Sequence, residues 1–180
     1  MKTENTTIKS KALFSDDGKH RLLLNKTWNK EGKSAAIIMI NPNTADTVTM
    51  DLTTMLVMNN LNDLGFGSVS ILNLYSMITG KLNLRFNSDD DLIDKDTDKI
   101  ITQCAEMSDA VIIAWGSAGN TSQRVKNRKK QLLEQLKPFA DKLYKIGEKG
   151  YHPLTPIIRT HWELVPFETE VNENAENNEG

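Results

Sequence analysis

Four short apolar runs limit what this 180-residue chain can fold into. They are AAIIMIN (Ala35–Asn41), VSILNLY (Val69–Tyr75), AVIIAWG (Ala110–Gly116) and KLYKIG (Lys142–Gly147). The first three are nearly continuous rather than alternating, which is the pattern of strands covered on both faces of a parallel sheet. Stretches with helical spacing lie between them: Leu52, Met55, Leu56, Asn59 and Leu64; then Leu92, Ile93, Ile100, Ile101 and Ala105; then Val125, Leu132, Leu133, Leu136 and Phe139. Strand and helix alternating with crossover-length links predict right-handed βαβ units and an α/β domain. Ahead of them, KALFSDD and HRLLLNKTW flank Gly18 and predict a β-hairpin.

One domain over 11–167 follows, between a polar N-terminus over 1–10 and an acidic tail over 168–180, both with the composition of flexible chain. The tail could solubilise, repel nucleic acid or cover a basic surface. A chain of this length buries a core unaided, and a single cysteine, Cys104, excludes an internal disulfide framework. No apolar run approaches the roughly 18 residues of a membrane span, and the start has no hydrophobic leader segment. The expected address is cytoplasmic. A net charge of −2 argues against tight DNA binding, although Arg124–Lys130 (RVKNRKK) concentrates positive charge on a predicted helix. Such a run serves as a solvated face or as a DNA-backbone contact. Three histidines and one cysteine lack metal-ligand spacing, so neither metal nor cofactor is expected.

Ligands of open parallel sheets bind beyond the carboxyl ends of the strands. The residues there are Asn41-Pro42-Asn43, Asn73, Trp115-Gly116-Ser117 and His152-Pro153, each place offering a side chain able to hydrogen-bond a polar ligand. The loop Gly116–Asn120 suits a phosphate at a helix N-terminus, yet it lacks the lysine of a nucleotide-hydrolysing loop. Asp46 and Asp51 stand near the first strand end, and Asp51 before LTTMLVM suits a helix N-cap.

The ordered set N-P-N-T-A-D (Asn41–Asp46), D-L-T (Asp51–Thr53), A-W-G (Ala114–Gly116) and H-P-L (His152–Leu154) resembles a bacterial and phage family described as a domain of unknown function. Asn43 departs from its pattern, where Ser or Thr is usual. The same segments resemble the uracil-DNA glycosylase superfamily. Ile40-Asn41-Pro42 is similar to its first motif, Ile71-Leu72-Asn73 to the L-L-N that reads uracil, Trp115-Gly116-Ser117 to the W-G-S after the third strand, and His152-Pro153 to the start of its last motif. The resemblance implies a three-layer fold with a four-stranded parallel sheet and a base-binding pocket of Asn41, Pro42, Asn43, Asn73 and His152.

Excising a base requires flipping it into a fitted pocket and stabilising the departing anion. By this resemblance Asn73 would read a pyrimidine edge with donor and acceptor, His152 would donate to a carbonyl, and Asn41 would stand where uracil-specific enzymes carry an aspartate. Asparagine is uncharged and a poor base, so Asn41 and His152 form a weak or vestigial catalytic pair. No aromatic residue lies between Asn43 and Leu64 to stack on a base, and Asn43 replaces the tyrosine that excludes thymine. Met50 or Met55 would supply only an apolar face. The last motif lacks its phosphate-approaching serine and leaves its wedge residue open between Leu154 and Ile157. The expectation is a pseudoenzyme that binds through Ser117, His152, Pro153, Leu154, Thr155 and Ile157. Its partner would be a DNA-mimicking uracil-DNA glycosylase inhibitor protein, or DNA more weakly. The alternatives are an active repair glycosylase of altered base specificity, and a nucleoside- or nucleotide-binding protein.

Overall fold

The computed structural model describes residues 1–117, 120 and 122–168. Its strands are β1 (Lys9–Phe14), β2 (Arg21–Thr27), β3 (Lys33–Met39), β4 (Phe66–Asn73), β5 (Ala110–Ile113), β6 (Leu143–Ile146) and β7 (Leu164–Pro166). The helices are α1 (Leu52–Asp63), α2 (Asp89–Leu92), α3 (Thr97–Met107) and α4 (Gln123–Leu136), with 3-10 turns at Lys137–Lys142 and Pro156–Ile158. All four apolar runs form strands, and β4-β3-β5-β6 lie side by side and parallel.

The sheet is wider than the four strands expected. It has seven, ordered β1-β2-β4-β3-β5-β6-β7, because the N-terminal hairpin pairs antiparallel with β4 and β7 pairs antiparallel with β6. An added strand satisfies the hydrogen-bonding row that β4 or β6 would otherwise leave open. The hairpin also claims residues expected to be flexible, since Lys9 and Ser10 pair with Thr27 and Lys26. The acidic tail lies, from position 169 onward, outside the described residues.

Alternation along β3 builds two cores. Ala35, Ile37 and Met39 pack with Val57, Met58 and Leu61 of α1, while Ala36 and Ile38 pack with Ile101 and Ala105 of α3 and Val125, Leu132 and Leu136 of α4. Helices therefore cover both faces, which explains why β3 and β5 read as unbroken apolar runs. The helix expected from Leu92 onward is divided: α2 is a single turn, and α3 begins only after Asp94-Lys95-Asp96. Phe139 falls in the 3-10 turn after α4, where Pro138 removes a backbone donor. No helix among the described residues is long and apolar enough to cross a membrane.

The topology places a crevice at its switch point. From β3 the chain passes through α1 to β4 on one side, and from β4 it passes through α3 to β5 on the other side of β3. Connections leaving β3 and β5 to opposite sides create a crevice beyond their carboxyl ends.

Candidate functional site

Asn41 and His152 meet at that crevice. Both line a polar cavity of about 160 Å3 shared with Arg21, Asn43, Asp51 and Leu154. Both also line a larger cavity of about 400 Å3, whose apolar surface comes from Ile40, Leu82, Leu84 and Val125, with Lys81 on its edge. They thus form the wall between a small polar chamber and a larger apolar one.

His152 is held there by a missing side chain. Gly116 has φ +59°, and a Cβ built on it would lie 2.9 Å from the His152 Cβ, so only glycine lets the two segments touch. The imidazole Nδ1 accepts the Leu154 backbone N–H at 3.2 Å. Burial pushes the His152 imidazole below its ordinary pKa. A neutral ring whose Nδ1 accepts must carry its proton on Nε2. The group offered to a ligand is therefore a neutral N–H donor.

The Asn41 amide is half spent. Its Nδ2 donates to the Thr79 carbonyl at 2.8 Å and to the Pro42 carbonyl at 3.3 Å, and Thr79 N–H returns a bond to Pro42 O at 3.3 Å. These bonds clasp the 79–88 loop over the larger cavity, and Oδ1 is what Asn41 has left to offer. Arg124 holds the same loop from its far end, donating to the Leu84 and Asn87 carbonyls at 2.8 Å each and pairing with Asp89.

Asn73 stands apart. It is buried at the end of β4, its Oδ1 accepts from Arg21 Nη2 at 3.4 Å, and its Nδ2 has no partner among the described residues. It lines neither cavity. Pro42 and Pro153 are buried, whereas Asn43 and Ser117 are exposed. Leu154 and Thr155 are half-buried, and Ile157 is 79% exposed on the 3-10 turn. That turn is tied to α1 by Asn60 Nδ2, which donates to Arg159 O at 2.9 Å. Met50 and Met55 are partly exposed and line neither cavity.

Two buried cations support the loop after β3. Arg21 Nη1 donates to Ala45 O at 2.6 Å, and Lys26 Nζ donates to the Asp46 and Thr47 carbonyls at 3.1 Å each. Burial lowers the pKa of both, with Asp51 and Asp46 respectively acting in the opposite sense. Sequence reasoning overlooked both. One signal was present, because alternation along β2 puts Lys26 on the same face as the buried Leu22 and Leu24. Asp46 shapes the loop by accepting Val48 and Thr49 N–H at 2.7 Å each, which holds its carboxyl below the usual range. Asp51 caps α1 as expected, accepting Thr54 N–H at 2.7 Å, while also lining the polar chamber.

The basic run is not one patch. Arg128 is buried, pairing with Asp98 and donating to Leu74 O at 3.1 Å, and Arg124 is the loop clasp described above. Lys126 and Lys130 are exposed. Lys129 lies against the Trp115 ring, 5.4 Å from its centroid. Within the loop Gly116–Asn120, positions 118 and 119 are outside the described residues. Among the described residues no three His, Cys, Asp or Glu side chains group as metal ligands.

A family model described as "Protein of unknown function (DUF1643)" matches residues 21–156, a span that contains every residue lining the two cavities. No curated protein and no solved structure matches the chain.

Proposed function

The chain belongs to the DUF1643 family, and from that premise we propose a protein of uracil-DNA glycosylase fold that binds through its strand-end face without excising a base. Four central parallel strands with candidate groups at their carboxyl ends support the fold. The observation that carries the absence of excision is Asn73. Reading a pyrimidine needs an amide with donor and acceptor both free, and this one is buried against Arg21 and lines neither cavity. Asn41 adds no charge to stabilise a sugar cation, and its amide nitrogen is already committed to the 79–88 loop.

The rim of the strand-end face remains: Ser117 and Ile157 are exposed, His152, Leu154 and Thr155 are half-buried, and Pro153 is buried beneath them. Its apolar tip, Ile157, has no packing duty that accounts for it. The partner this rim suits is a DNA-mimicking protein inhibitor of uracil-DNA glycosylases, which this chain would sequester. Calorimetric titration with such an inhibitor should give saturable binding that Ile157→Glu weakens tenfold or more. Uracil release from single- and double-stranded oligonucleotides should stay at background. Absence of inhibitor binding by folded protein would sink the reading.

His152 favours a second reading. A neutral imidazole with Nε2–H free is suited to polarise a carbonyl, as an active glycosylase of altered base preference would need. Base release that disappears in His152→Ala would replace the first reading with this one.

A further inference from the structure

A third cavity, of about 290 Å3, lies beyond the carboxyl ends of β5 and β6. Gly116 lines it, and His152, which packs on Gly116, lines the other two, so this pair is the partition between them. Lys129, Lys145 and Lys149 face it against a single carboxylate, Glu148, a local excess of positive charge in a chain whose net charge is −2. Glycines at 147 and 150, with φ +59° and +65°, make the reversal that folds Lys149 back beside Lys145. The turn closes through Gly150 N–H to Gly147 O at 3.1 Å and Tyr151 N–H to Ile146 O at 2.8 Å. Neither Lys145 nor Lys149 enters an ion pair among the described residues. Lys129 donates to Asn120 Oδ1 at 3.0 Å and is partly desolvated against Trp115. Half-buried Phe167 adds an aromatic edge.

We propose that this cavity is a phosphate subsite for single-stranded nucleic acid, with Lys129, Lys145 and Lys149 contacting the backbone and Phe167 flanking a base. Ammonium groups beside an aromatic ring are the combination by which single strands are held without sequence preference. Glu148, the one carboxylate among the lining residues, opposes the binding and keeps it weak enough to be salt-sensitive. The proposal stands apart from the inhibitor partner. A protein that takes the inhibitor and ignores DNA keeps the earlier reading and loses this one.

The test is fluorescence anisotropy of a labelled 12-residue oligothymidylate at low salt, on the full chain. Lys145→Glu with Lys149→Glu should weaken binding tenfold or more and flatten the slope of log affinity against log salt by about 1.4, the contribution of two phosphate contacts on a single strand. The control pair, Lys126→Glu with Lys130→Glu, makes the same charge change at exposed α4 residues that do not line the cavity and should change affinity less than threefold. Matched melting temperatures establish that each variant folds. Equal losses in both pairs, an unaffected cavity variant, or no binding by wild type would each overturn the proposal. Displacement by free thymidine monophosphate at matched phosphate concentration would also overturn it, by assigning the subsite to a mononucleotide.

Discussion

His152 shows how a single residue's environment sets its chemistry. Burial lowers its pKa, so the unfolded chain, with an ordinary imidazole near 6.5, binds protons that the folded chain refuses. Stability is therefore unaffected at alkaline pH and is lost as pH falls below about 6.5 towards the folded value. Melting curves from pH 8 to pH 5 should steepen in this window for wild type and less so for His152→Asn. Parallel profiles would show that the ring titrates as it does in the unfolded chain. Asn41, Asn43, His152 and Leu154 each follow a recognisable strand end in the sequence, and the fold brings all four to the polar chamber. Asn73 was legible as a strand-end position, but its surroundings were not. Its partner, Arg21, is 52 residues away in sequence, and no local pattern announces that a guanidinium will claim its amide oxygen.

Elements were read more reliably than residues, and the misses have physical causes. The period of 3.6 marks the buried stripe of α4, but in α1 it picks the solvent face: Leu52, Met55, Asn59 and Leu64 are exposed, and Thr54, Val57, Met58, Asn60 and Leu61 are buried beside Leu56. α2 and α3 share that spacing across a break that Asp94-Lys95-Asp96 introduces. Asp94 accepts Asp96 N–H at 2.9 Å, a local bond that competes with helix continuation. At the start of α1, Asp51 serves both helix and chamber, and substitution can separate the two. Asp51→Ala should cost about 1 kcal/mol through loss of the N-cap. Asp51→Asn caps almost as well, so any further loss it shows reports the missing charge near Arg21. Denaturant melts of both variants measure the difference, and equal losses would mean that the cap contributes little.

Across the whole molecule, the central strands were legible because burial on both faces leaves continuous apolar runs, whereas the width of the sheet was not. β1 alternates weakly and β7 spans only three residues, so neither declares which neighbour it joins. Both lie outside the span the family model matches. β1 is nonetheless a guard: it covers the β2 edge and presents Lys9 and Lys11 to solvent. Deleting residues 1–14 should lower the melting temperature by about 5 °C, the shift that roughly 2 kcal/mol produces in a domain of this size. Light scattering should rise as β2 becomes an open edge; unchanged scattering would show that β2 protects itself. The contact between Gly116 and His152 also constrains how such a molecule can be inherited. Any side chain arriving at 116 collides with the Cβ and backbone of residue 152, atoms that every residue but glycine carries there, and meets a positive φ besides. The glycine is therefore owed to the close approach of the two segments and not to the imidazole. A lineage can exchange the histidine and must still carry the glycine, so across descendants position 116 should vary less than position 152.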